Sequence, residues 1–120
     1  MTMIKIFFGL LLFFCFTQFS FSQTRGEDAT GETGLYRVYE KADKELNLVY
    51  NKLKKKLGTK DQANLINSQK DWLKFRDSNC KFKCYPEGEG GVIANKMHTD
   101  CLTQATISRT KELKSLMNGF

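Results

Sequence analysis

Apolar positions recur along most of this chain at steps of three and four. No stretch of useful length alternates with the two-residue period of a half-buried strand. Tyr39, Ala42, Leu46, Val49, Tyr50, Leu53 and Leu57 fall on one stripe of a helical cylinder, which predicts a helix over 35–57. Lys41, Lys44, Lys52, Lys54 and Lys55 lie mostly off that stripe and read as a solvated face. Gly58 is the expected stop. Thr59 and Gln62 have the spacing of a capping box, so a second helix is predicted from about Lys60 to Cys84. Its apolar residues Leu65, Ile66, Trp72, Leu73, Phe75 and Phe82 cover more than one side. A helix apolar on several sides is usually buried on several sides, which predicts that this one is central. Tyr85–Gly91 holds the only proline and three glycines and reads as a loop. In the third helix, over 92–117, Ile93, Met97, Cys101 and Ala105 step by four, Leu113, Leu116 and Met117 close the run, and Asn118-Gly119 is a suitable stop. The expected architecture is all-α, a small antiparallel three-helix domain, with no internal repeat.

The N-terminus follows a different pattern. After Lys5 an uncharged run, Ile6 to Phe16, leads to the small residues Ser20 and Ser22 spaced two apart. This is the layout of a signal peptide cut after Ser22. A retained membrane anchor is the alternative, but a span needs about 20 apolar residues and this run is interrupted at Gln18. Cys15 is not a lipid-attachment cysteine, because the bulky Phe14 precedes it. Residues 23–34 show no apolar period and are rich in Gly, Thr and acidic residues, so they are expected to form a flexible tail before a domain at 35–120. The product would be exported to the periplasm or the medium, with its only membrane involvement through the cleaved signal.

The full chain carries a formal charge of +6; cutting after Ser22 removes only Lys5 and leaves 18 basic against 13 acidic residues. That balance suits an acidic partner, an anionic membrane surface or a cell-wall polymer. No nucleic-acid motif accompanies it, and the loop at 85–91 lacks the Gly-Lys-Ser/Thr ending of a phosphate-binding loop.

Export leaves Cys80, Cys84 and Cys101. Cys80 and Cys84 stand one turn apart on one helix face, and an oxidising compartment favours a bridge from either of them to Cys101. Such a bridge closes a loop of about 20 residues, for which chain entropy gives about 3 kcal/mol. One thiol is left over. A sharper alternative gathers Cys80, Cys84, His98 and Cys101 into a zinc site, but the spacing matches no ribbon or finger pattern and the compartment oxidises thiols. The plain reading of His98 is a helix residue at least partly exposed. Nothing points to catalysis: the lone histidine has no nucleophile elbow near it, and Glu87 and Glu89 sit in a glycine-rich loop that would not hold paired carboxylates still. No cofactor is implied.

Three motifs in order carry a resemblance. Ala42-Asp43-Lys44-Glu45-Leu46-Asn47 with Val49, Tyr50 and Leu53 is the first. Gln69-Lys70-Asp71-Trp72-Leu73-Lys74-Phe75-Arg76-Asp77 with Cys80 is the second. Gly90-Gly91, Cys101-Leu102, Thr106, Arg109-Thr110 and Glu112-Leu113 form the third. Together they resemble the LprI-like lysozyme-inhibitor family over about residues 36–117. The resemblance implies an exported bacterial helical protein without a catalytic centre, whose founding activity is inhibition of animal-type lysozyme. It also implies an inter-helix disulfide between Cys80 and Cys101. The family's frequent further cysteine ahead of the first motif is missing near Thr33 and Gly34, which leaves the pairing of Cys84 open.

The motif residues Asp43, Asn47, Trp72, Arg76 and Arg109 are read as a structural polar set, with a buried Asp43–Arg76 contact across two helices to which Arg109 adds. Two binding readings follow. As a lysozyme inhibitor, the protein would present its irregular loop, with Tyr85, Glu87 and Glu89 as the partner contact. Animal lysozymes are strongly basic, so the two acidic residues would offset the repulsion between like-charged partners. As an envelope interaction protein, it would use Lys52, Lys54, Lys55, Lys56 and Lys60 on anionic polymer or membrane.

Overall fold

A computed structural model describes residues 31–88 and 90–119; the expected signal at 1–22, the tail at 23–30 and Glu89 lie outside the described residues, as does the side chain of Glu87. Three long helices make up nearly all of it: α1 (Glu32–Lys56), α2 (Thr59–Cys84) and α3 (Val92–Met117), with one 3-10 turn at Pro86–Gly88. Among the described residues there is no strand, and no helix is long and apolar enough to cross a membrane.

The helices run up, down and up. Cys80 of α2 is bonded to Cys101 of α3, and Arg109 of α3 reaches back to Gln69 of α2, so these two helices are antiparallel. Lys56 at the end of α1 donates to the carbonyl of Met117 at the end of α3, and Lys114 pairs with Glu45, so α1 and α3 are parallel neighbours. One end of the bundle therefore carries the α1–α2 turn and the C-terminus of α3. The other carries the start of α1 and the α2–α3 connection.

α1 follows its predicted stripe. Leu46, Val49 and Leu53 are buried with Leu65 and Leu113, and Tyr50, Leu57, Trp72 and Met117 pack around them. The helix begins three residues before the predicted start, so Glu32–Gly34, assigned to the tail from composition, are helical.

The junction with α2 differs from expectation. Leu57 itself turns extended and ends α1, while Gly58 (φ −70°, ψ 166°) precedes α2 as its N-cap. Thr59 lies inside the helix and makes no cap hydrogen bond; Gln62 instead donates through Nε2 to the Leu57 carbonyl at 2.9 Å. At the other end of α2 the chain reverses through the 3-10 turn. Gly88 sits there at φ 78°, a left-handed conformation that favours glycine.

The central helix is α3, not α2. Backbone contact is closest between α3 and α1, α3 also lies against α2, and α1 and α2 approach each other least. The reason is visible in the side chains. The buried face of α3 is Thr103, Thr106, Arg109, Thr110 and Leu113, mostly residues that a hydrophobic pattern passes over. Thr99, Thr103, Thr106 and Thr110 each donate a hydroxyl hydrogen to the carbonyl four residues earlier, at 2.7–3.0 Å. A threonine satisfied in this way goes inside without an unpaired polar group, and its short side chain lets helices pack closely. By contrast Ile93 and Met97, on the predicted core stripe, are exposed, as are Phe75 and Phe82 of α2.

Candidate functional site

At the middle of the bundle, Trp72 is flanked by two guanidinium groups. Cζ of Arg76 lies 5.3 Å and Cζ of Arg109 lies 5.7 Å from its ring, and Arg76 also stands 5.7 Å from the ring of Tyr39. Both arginines are only 7% exposed. Arg76 donates from Nη1 to Thr106 Oγ1 at 3.2 Å and from Nε to Asp77 Oδ1 at 2.8 Å. Arg109 donates from Nε to Gln69 Oε1, from Nη2 to Ser68 Oγ and from Nη1 to Glu112 Oε2. These bonds tie α3 to α2 and bring Tyr39 of α1 against Arg76. Among the described residues no buried side-chain nitrogen or oxygen lacks a partner. Burial holds the Tyr39 phenol above its usual pKa, with Asp43 and Asp77 adding to the effect and Arg76 opposing it.

The expected Asp43–Arg76 pair does not form. Arg76 is ion-paired with its neighbour Asp77. Asp43 accepts instead from Asn47 Nδ2 at 3.2 Å, one turn along α1, and both line a 400 Å³ groove between α1 and α2 that Tyr50, Gln69 and Lys70 also border. Asp77 holds Arg76 with one oxygen while its own side chain stays 61% exposed, so the guanidinium is paired without a second charge being buried.

The α2–α3 end contains the features that point outward. The Cys80–Cys101 bridge holds the two helices with Cα atoms 5.7 Å apart, as the family resemblance implies. It removes two of the four ligands that the zinc alternative needs. Cys84, one turn on, is buried and unbonded. It borders a 630 Å³ surface hollow with Lys83, Pro86, Val92, Ile93 and Met97. Of these, Ile93 is 76% exposed and Val92 and Met97 are also largely in solvent, while Phe82, near the end of α2, is 82% exposed. The sequence pattern places Phe82, Ile93 and Met97 on buried helix faces, because a helical apolar step looks the same whether it meets a neighbouring helix or a partner.

Tyr85, expected to be a contact on a projecting loop, is half-buried. Its hydroxyl donates to Asn95 Oδ1 at 2.8 Å, and its ring lies 5.1 Å from that of His98. The connection it begins is therefore anchored to α3 at its first residue. At the opposite end Lys52, Lys55, Lys56 and Lys60 are exposed and Lys54 is half-buried.

Geometry of this kind defines a class: small all-helical proteins stapled by a disulfide, with a polar centre and an apolar surface at one end. The chain belongs to the lysozyme inhibitor LprI family, whose model matches residues 23–113. It is also similar to an uncharacterized protein of Rhizobium meliloti (strain 1021), 34% identical over 94 residues that cover 68% of this chain and 67% of that protein. No solved structure matches it.

Proposed function

We propose that this is an exported binding protein, released by cleavage of its leader, that inhibits an animal-type lysozyme by protein–protein contact and catalyses no reaction of its own. The observation that carries the reading, beyond family membership, is the apolar surface at the α2–α3 end. Val92, Ile93 and Met97 stand in water beside a hollow, on helices that a covalent bridge holds in register. Exposed apolar groups clustered on a rigid support mark contact surfaces. Here the contact moves from the loop tip alone to the first turns of α3 beside it. A rigid apolar surface presented there suits the mouth of a cleft such as lysozyme's, where two carboxylates act on the glycan. The test is a cell-wall lysis assay with animal lysozyme: inhibition at micromolar protein is the expected result, and undiminished lysis at that concentration sinks the reading.

A second reading rests on the opposite end. The lysines clustered around the α1–α2 turn form a basic surface suited to anionic wall polymer or membrane. Co-sedimentation with purified cell wall and with anionic vesicles, weakening steeply with salt, is the expected signature, and retention at high salt argues against it.

A further inference from the structure

A third region shares only Tyr85 with either surface. Tyr39 of α1, Arg76, Asp77 and Lys81 of α2, Tyr85 of the connection, and His98 and Leu102 of α3 line an open cleft of 430 Å³ where all three helices meet. We infer that this cleft is a binding site for a carboxylate-bearing sugar, its ring lying against Tyr85 and Leu102 and its carboxylate directed to Lys81.

The walls of the cleft are fixed before any ligand arrives. Tyr85 is held by Asn95 and His98, Tyr39 stands against the guanidinium of Arg76, and Arg76 is tied in turn to Asp77 and Thr106. Side chains already immobilised lose little entropy when a ligand binds. What remains uncommitted is polar. The exposed Lys81 takes part in no ion pair among the described residues, and the His98 imidazole makes no hydrogen bond among them. Asp77 uses Oδ1 for Arg76, and no bond is made to Oδ2.

That inventory selects a ligand. An aromatic ring and a leucine form an apolar surface that suits the C–H face of a pyranose. Imidazole and carboxylate oxygen suit its hydroxyl and amide groups. Two cations, Arg76 and Lys81, stand against the single carboxylate of Asp77, so the cleft favours an anionic substituent over a neutral one. A purely aliphatic acid would leave the ring surface and the hydroxyl partners unused, and a neutral sugar would leave Lys81 unused.

This inference is independent of lysozyme inhibition, since the cleft is bordered by none of the residues assigned to that contact apart from Tyr85. N-acetylmuramic acid is a suitable probe because it joins N-acetylglucosamine to a lactyl carboxylate. Titrated into isotopically labelled protein, it is expected to shift the resonances of Tyr39, Tyr85 and His98 with a Kd of about 1 mM, N-acetylglucosamine binding about tenfold more weakly and lactate not at all. Lys81→Gln, at an exposed position that does not threaten folding, is expected to weaken binding of the acidic sugar about tenfold and to leave the neutral one unchanged. Lys52→Gln, at the other end of the bundle, should change neither. Absence of shifts in the cleft, equal shifts with N-acetylglucosamine or with lactate, or an unaltered Lys81→Gln titration overturns the proposal.

Discussion

Arg109 donates its Nε hydrogen to Oε1 of Gln69 over 3.1 Å, joining α3 to α2 through two side chains that are both almost completely buried. Removing one of them strands the other. Gln69→Leu keeps the approximate volume but leaves a buried guanidinium N–H without an acceptor, which costs about 2 kcal/mol. For a domain of this size that lowers Tm by about 8–16 °C. Thermal unfolding followed by circular dichroism measures it; a Tm unchanged from the parent shows that the bond contributes nothing.

The disulfide should contribute more than any single hydrogen bond. Cys80 and Cys101 are 21 residues apart in sequence, and releasing a loop of that length from its closure costs about 3 kcal/mol. The double variant Cys80→Ala/Cys101→Ala is expected to unfold at distinctly lower urea, whereas Cys84→Ala should move the midpoint little. Similar midpoints for the double variant and the parent would show that the bridge adds no stability.

Ile93→Glu separates contact from folding. The side chain is exposed, so stability should change by less than about 0.5 kcal/mol. Lysozyme inhibition should fall at least tenfold, about 1.4 kcal/mol, if Ile93 is one of the central apolar anchors. Phe82→Ser tests whether the outer face of α2 takes part in the same contact. Full inhibition by Ile93→Glu removes the α3 start from the interface.

Tyr39 predicts a pH dependence at the alkaline end. Burial raises its folded pKa above the unfolded value, so the native state holds the phenol proton more tightly. The associated stability is complete below the ordinary phenol pKa of about 10 and is lost as pH rises through the higher folded value. The parent should therefore lose urea resistance more steeply than Tyr39→Phe as pH rises above the ordinary phenol pKa of about 10. Parallel curves for the two proteins contradict the assignment.

The pattern of breaks and apolar steps was enough to place all three helices. Pro86 with three glycines leaves no other place for the α2–α3 connection, and the stripe through Leu46, Val49 and Leu53 is the one that packs. The side on which α3 is buried was not legible. Its inner face is threonine and arginine, residues that enter a core only when a carbonyl one turn back or a partner on another helix receives their hydrogens. Pairwise chemistry of that kind depends on which helix lies opposite, and one-dimensional periodicity does not contain it. The same gap made Asp43 look like the partner of Arg76: both occur in motifs, but only the packing shows that Asp77 takes the place.

Because α1 and α3 point the same way, their carboxyl termini come to rest side by side. Each helix terminus of that sense carries the equivalent of about half a negative charge. Lys54, Lys55 and Lys56 occupy the last turn of α1, and Lys114 that of α3. Part of the positive charge gathered there is thus engaged in neutralising two aligned backbone dipoles. The attraction this pole exerts on a distant polyanion is correspondingly weaker than a census of its ammonium groups suggests.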